Sequence, residues 1–138
     1  MAQAINEVMT HDPICVTTDT PIAQVARKMK EGDTGAILLE DSGKFAGIVT
    51  DRDIVVRAIA EGADPSTPIG QYATTDVRTL TPDQTVDDAI EIVRGSDVRR
   101  VPVVQDGRPV GIVSIGDLAI ESNGEKALAD ISAAKPNN

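Results

Sequence analysis

Tryptophan is absent from this chain, and the aromatic residues stop at Phe45 and Tyr72, 1% of the sequence. A core must therefore be built from Val, Ile, Leu, Ala and Met, and the rings on which nucleobases usually stack are missing. Cys15 is the only cysteine, which excludes an intrachain disulfide. Set between Ile14 and Val16, it reads as a small buried residue, with a reactive thiol as the alternative. His11 is the only histidine and Cys15 the only cysteine, too few for a Cys/His metal set, so no metal site is expected, and acid–base chemistry near neutral pH has little to work with. No aliphatic run approaches the ~20 residues that cross a bilayer. The opening stretch also lacks a continuous apolar h-region. A soluble, cytoplasmic protein without a membrane partner is expected.

What is present is enough for a compact fold: 138 residues, 41% of them hydrophobic. Thirteen basic residues stand against 22 acidic ones, a formal charge of −9. That balance repels a phosphate backbone and argues against nucleic acid as a partner. It leaves room for a small anion in a locally basic pocket. No nucleophile–base pair, no paired catalytic carboxylates and no phosphate-loop signature occurs, so the chain is read as a non-enzyme.

The chain repeats itself. Gly47, Ile48, Val49, Thr50, Asp51, Arg52, Asp53 returns as Gly111, Ile112, Val113, Ser114, Ile115, Gly116, Asp117, at an offset of 64 (111 − 47). Each copy is an apolar run ending in a hydroxyl residue with an acid three positions later, the pattern of a strand handing over to a helix. Upstream, Ile14 to Val16 reads as a brief strand. Thr20 and Pro21 read as N-cap and N1 of a helix whose face is Ile22, Val25, Ala26 and Met29, ended by Gly32. Ala36 to Leu39 and Phe45 to Thr50 form a hairpin about Asp41 to Lys44, and a helix from about Asp51 to Glu61 follows, with Gly62 as its terminator. At the same offset the helix face meets Val86, Ala89, Ile90 and Val93, Gly43 meets Gly107, and Thr10 meets Thr74. The order is a tandem β-α-β-β-α repeat of α+β class, whose halves are expected to pack about a pseudo-twofold axis. Copy 1 covers 1–62, a Pro-containing linker 63–68, copy 2 69–122, and a tail with a weak helix 123–138.

This tandem resembles a CBS-domain pair, or Bateman module, of the stand-alone type. The resemblance rests on Val8, Met9 and Thr10, on Thr20, Pro21 and Ile22, on Val98 to Val104, and on both Gly-Ile-Val-hydroxyl-x-x-Asp stretches. It implies two related clefts between the repeats that bind adenosine-containing ligands: AMP, ADP, ATP or S-adenosylmethionine. Carried over position by position, Asp53 and Asp117 would accept from ribose hydroxyls, with Thr50 and Ser114 near the phosphate or ribose. The Asp117 cleft would combine Ser114, Ile112 and Arg100 with Thr10, Ile14, Thr34, Gly35 and Ala36. The Asp53 cleft would combine Thr50 with Thr74, Arg78, Val98 and Arg99, helped by Arg52. The Asp117 cleft, with Arg100, is expected to bind better. A carboxylate can accept both vicinal hydroxyls of a ribose, and an arginine can hold a phosphate with two parallel donors.

Plainer readings stand beside these. Thr50 with Asp53, and Ser114 with Asp117, are also S/T-x-x-D capping boxes that satisfy a helix start without any ligand. Arg99 and Arg100 also suit a solvated or interface pair, and Arg52, between two acids, a local salt bridge. The leading expectation is a regulatory, homodimeric ligand-binding module holding no cofactor, its ligand an adenine nucleotide or S-adenosylmethionine. The alternative is a ligand-free dimeric interaction or scaffold protein. The sequence names no protein target.

Overall fold

The computed structural model describes residues 3–94 and 100–114. The helix expected after Ser114, the tail helix, and Val98, Arg99 and Asp117 lie outside the described residues. In chain order the elements are α1 (Ile5–Val8), β1 (Thr10–His11), β2 (Cys15–Thr17), α2 (Ile22–Gly32), β3 (Ala36–Asp41), β4 (Lys44–Thr50), a π-helix (Asp53–Ile59), a 3₁₀ turn (Ile69–Gln71), α3 (Val86–Val93), β5 (Arg100–Gln105) and β6 (Arg108–Ser114).

Two three-stranded sheets form, β2-β3-β4 and β1-β6-β5. In the first, β2 runs parallel to β3, with Val16 opposite Leu39, and β4 returns antiparallel, with Leu38 opposite Ile48. The hairpin turns on Ser42 and Gly43 at φ 56° and 80°, and its counterpart on Asp106 and Gly107 at 53° and 79°. Positive φ at both central residues is the two-residue turn whose twist matches the strands it joins. In copy 2 the first strand shrinks to one parallel bridge, Leu80 to Val103, each 64 residues beyond Val16 and Leu39.

Each hydrophobic core is aliphatic. One gathers Val16, Ile22, Val25, Met29, Ile37, Leu39, Val49 and Ile69 with Ile54 and Ala58; Tyr72 packs at its edge. The other gathers Leu80, Val86, Ala89, Val93, Val101, Val103, Val113 and Ile5 with Met9 and Ile90. The first eight residues of each correspond one to one at the 64-residue offset, so the duplication seen in the sequence is a duplication of packing.

One correspondence is crossed. Ile69, from copy 2, lies in the core of copy 1, and Ile5, from copy 1, lies in the core of copy 2; both are fully buried. The compact units are accordingly 13–77 with 106–109, and 3–12 with 78–105 and 110–114 over the described residues. Each takes its leading arm from the other copy. An aliphatic side chain of this size contributes about 1.5–3 kcal/mol on full burial, enough to anchor an arm.

The arms also cap the helices, which corrects one expectation. Thr20 is not the N-cap of α2: Pro21 is, in extended conformation and with no side-chain cap. The free N–H groups of Ile22 and Ala23 donate instead to the carbonyls of Thr67 and Pro65, both at 3.0 Å. Residues 63–68, linker-like in composition, therefore complete the first turn of α2. In copy 2 the N–H of Val86 donates to Gln3 O at 2.9 Å, the equivalent bond. At the other end of α2, Gly32 is the last helical residue and Asp33 takes the left-handed cap, φ 50°.

Gly47 sits where the second arm crosses β4. A Cβ there would lie 2.6 Å from the carbonyl oxygen of Thr74, a rigid backbone atom, whereas at Gly111 the nearest atom would be the Met9 sulfur, on a flexible side chain. Gly47→Ala is expected to cost about 1–3 kcal/mol in urea unfolding, more than Gly111→Ala. Equal losses for the two would show that the arm yields as readily as a methionine.

Candidate functional site

The strand-to-helix corner at the end of β4 is built almost entirely by backbone. Thr50 pairs with Ala36 across the hairpin, and the N–H of Asp51 donates to Gly35 O at 2.9 Å. Thr34 closes this edge: its hydroxyl donates to Ala36 O at 3.1 Å and accepts from the Ala36 N–H at 3.3 Å. On the other edge of β4, Ile48 and Thr74 exchange two bonds, of 3.0 and 2.9 Å. Ile14 lies on the same unit, its carbonyl accepting from the Leu38 N–H.

Within this frame Thr50 and Asp53 bond reciprocally. The Thr50 N–H donates to Asp53 Oδ2 at 2.9 Å, and the Asp53 N–H donates to Thr50 Oγ1 at 3.2 Å. The other carboxylate oxygen, Oδ1, faces Arg57 Nη1 at 3.8 Å, with the Asp53 side chain 19% exposed and that of Arg57 45%. Arg52, expected to pair with its neighbours, donates its backbone N–H to Asp51 Oδ1 at 2.8 Å and is exposed. Arg57 is the residue that reading the sequence missed. Its signal was the four-residue spacing from Asp53, which puts the two on one side of a helix.

In the other unit, Thr10 pairs with Ile112, the counterpart of Thr74 with Ile48. Ser114 ends β6, Arg100 opens β5 and is exposed, and Arg78 is exposed two residues before Leu80. Thr34, Gly35 and Ala36, which the resemblance groups with Asp117, lie along the Thr50–Asp53 corner.

The plain capping reading has a direct comparator. Thr85 and Asp88 form the same reciprocal box at the start of α3, at 3.0 and 3.1 Å, with Thr85 half-buried and Asp88 exposed. Box geometry alone therefore does not mark a ligand site. What distinguishes the Thr50–Asp53 box is its place, at the end of a sheet strand between Gly35 and Arg57, and an acid that is partly enclosed where Asp88 is exposed.

A family model described as CBS domain matches residues 5–59 and again residues 69–124. The chain belongs to the CBS-domain family. Its fold is the α+β fold of CBS-domain pairs. The CBS domain-containing protein YhcV of Bacillus subtilis is 34% identical over 134 residues, 94% of this chain and 95% of its own. The crystal structure of Hypoxic Response Protein I with two coordinated zinc ions is 30% identical with TM-score 0.75, covering 86% of this chain and 98% of that one. The CBS domain pair of protein MJ0100, in complex with 5′-methylthioadenosine and S-adenosyl-L-methionine, is 27% identical with TM-score 0.77, covering 91% and 99%. The zinc and the adenosyl compounds belong to those proteins. Among the described residues of this CBS pair, no group of three His, Cys, Asp or Glu is placed to hold a metal ion. None of its described helices is long and apolar enough to cross a membrane.

Cys15 takes the structural role in this CBS pair. It is half-buried on β2, and its thiol donates to Pro13 O at 3.4 Å. Desolvation, with a smaller push from the Glu40 carboxylate, raises its pKa from 9.0 to about 11, so the reactive thiolate is suppressed. The folded state thus holds this proton more tightly than the unfolded one. The stability that follows is complete below pH 9 and is lost as pH rises through about 11. Alkylation of the native protein near pH 8 is expected to be much slower than of the urea-unfolded chain, and Cys15→Ala should flatten the stability profile between pH 9 and 11. Equal alkylation rates in the two states would rule out a shielded thiol.

Proposed function

We propose that this CBS pair is a regulatory module that binds adenosine-containing ligands, AMP, ADP, ATP or S-adenosylmethionine, and transmits their presence through a change in packing. CBS-domain pairs are regulatory ligand-binding modules, and a relative of matching length carries adenosyl compounds. The observation that carries the reading is the Asp53 carboxylate. Oδ2 is taken by the helix start, and among the described residues the approach recorded to Oδ1 is that of Arg57 at 3.8 Å, too long for a hydrogen bond. The corner thus keeps acceptor capacity for a vicinal diol. In copy 2, Ser114 and Asp117 are proposed to act equivalently, with Arg100 for the phosphate. We propose a cytoplasmic location, where a lone thiol stays reduced.

A second observation favours self-association. Val55, Val56 and Ile59 are 60, 46 and 52% exposed on one helix. Backbone bonds here span five residues, as from the Ala60 N–H to Val55 O, and this wider winding keeps Ile54 and Ala58 in the core while turning three aliphatics outward. A contiguous exposed apolar face of this kind suits an interface, and we propose a homodimer through it. The same face would serve the alternative, a ligand-free scaffold in which Thr50–Asp53 is a cap like Thr85–Asp88.

Thermal denaturation with AMP, ADP, ATP and S-adenosylmethionine separates the two readings. Ligand at 100 times its dissociation constant adds about 2.7 kcal/mol of stability. Asp53→Asn, which keeps an acceptor for the Thr50 N–H, and Asp117→Asn should each lower affinity at their own site about tenfold or more. No shift with any of the four at millimolar concentration would leave the scaffold reading. For the interface, Val55→Asp should halve the particle mass in sedimentation; an unchanged mass would dismiss this face as the dimer contact.

A further inference from the structure

We propose that Arg57 sets the ligand charge that the Asp53 corner accepts, selecting adenosyl ligands that carry a phosphate over neutral or cationic ones. The inference rests on the nucleotide reading above and deepens it by naming the ligand class.

A carboxylate that receives a ribose is a liability toward a nucleotide, because it repels the phosphate the same ligand carries. It would instead favour a neutral thioether or a cationic sulfonium. Here the carboxylate is compensated. Among the described residues the guanidinium recorded within 4 Å of Asp53 is that of Arg57, at 3.8 Å. That separation is too long for a hydrogen bond, so the contact is Coulombic and the guanidinium donors are not committed to Asp53. The Arg57 side chain is 45% exposed and stands at the rim of the corner, whereas Asp53, at 19%, lies inside it. Asp53 is thereby left to accept hydroxyls while Arg57 supplies the charge that tolerates an anion, with a fork of donors suited to phosphate.

Arg52 does not substitute for it. Arg52 is exposed, its backbone N–H donates to Asp51 Oδ1, and among the described residues its guanidinium is recorded in no ion pair with Asp53. In sequence register the residue 64 positions after Arg57 is Glu121, of opposite charge. The two copies thus carry opposite charge at this register position.

The test uses the full-length chain with Asp117→Asn in every sample, so that the signal reports on the Asp53 corner. Binding of AMP, 5′-methylthioadenosine and S-adenosylmethionine is measured by calorimetry for Arg57 and for Arg57→Gln and Arg57→Lys. Arg57→Gln is expected to weaken AMP about three- to fivefold, the weight of a partly exposed charge pair, and to leave 5′-methylthioadenosine within about twofold. Arg57→Lys should recover most of the AMP affinity. The preference for AMP should shrink as salt rises to about 0.5 M, since screening acts on the charge and not on shape. Equal weakening of AMP and 5′-methylthioadenosine would show a merely structural role and overturn the inference, as would no change in either. If none of the three binds the protein with Arg57 intact at millimolar concentration, the nucleotide reading fails and this inference with it.

Discussion

Everything in this fold depends on two short arms that pair away from the copy they belong to in sequence. Ile48 with Thr74, and Thr10 with Ile112, are backbone bonds at the edge of a sheet; Ile22 with Thr67, and Val86 with Gln3, are backbone bonds at the start of a helix. Both kinds satisfy groups that an isolated copy would leave open, an edge strand and an uncapped first turn. Ile69 and Ile5 then fill the cores beneath. Polar satisfaction and apolar burial are supplied by the same ten or so residues, so neither copy is complete without an arm from the other.

The candidate site inherits its rigidity from this. β4 is held on one side by β3 and on the other by Thr74, and its last residue, Thr50, is fixed before the chain turns. The reciprocal bonds with Asp53 then set the direction of the carboxylate without help from any buried charge. This is an inexpensive way to aim an acid: the cap would be wanted for the helix in any case, and one oxygen is left over. The exposed aliphatics Val55, Val56 and Ile59 begin two residues later, so a ligand at the corner and a partner on the helix would act on the same short segment.

Much of this was legible in the sequence because the chain wrote it twice. The 64-residue register identified helix faces, hairpin turns and the strand-to-helix corner after Thr50 together, and a single copy would have left each as an isolated weak motif. The aliphatic core followed from the lack of aromatics. The cap of α2 was misplaced, because Thr20-Pro21 looks locally complete and the carbonyls that serve the helix lie more than forty residues downstream, at Pro65 and Thr67. Arg57 was passed over for Arg52, whose adjacent acids drew attention although neighbouring residues on a helix do not face one another. The outward turn of Val55 and Ile59 was hidden too, since apolar pattern alone does not reveal a helix wound with five-residue bonds.

By itself the sequence determined that two like α+β units exist, what fills their cores, where each chain reversal falls, and which hydroxyl and acid share a corner. These are matters of local propensity and periodicity, which act over a few residues and survive without knowledge of the rest. The tertiary structure alone decided which arm serves which unit, whose carbonyls cap α2, and which guanidinium stands beside Asp53. Those choices are made by hydrogen bonds and burial between segments remote in sequence, whose pairing no local pattern encodes.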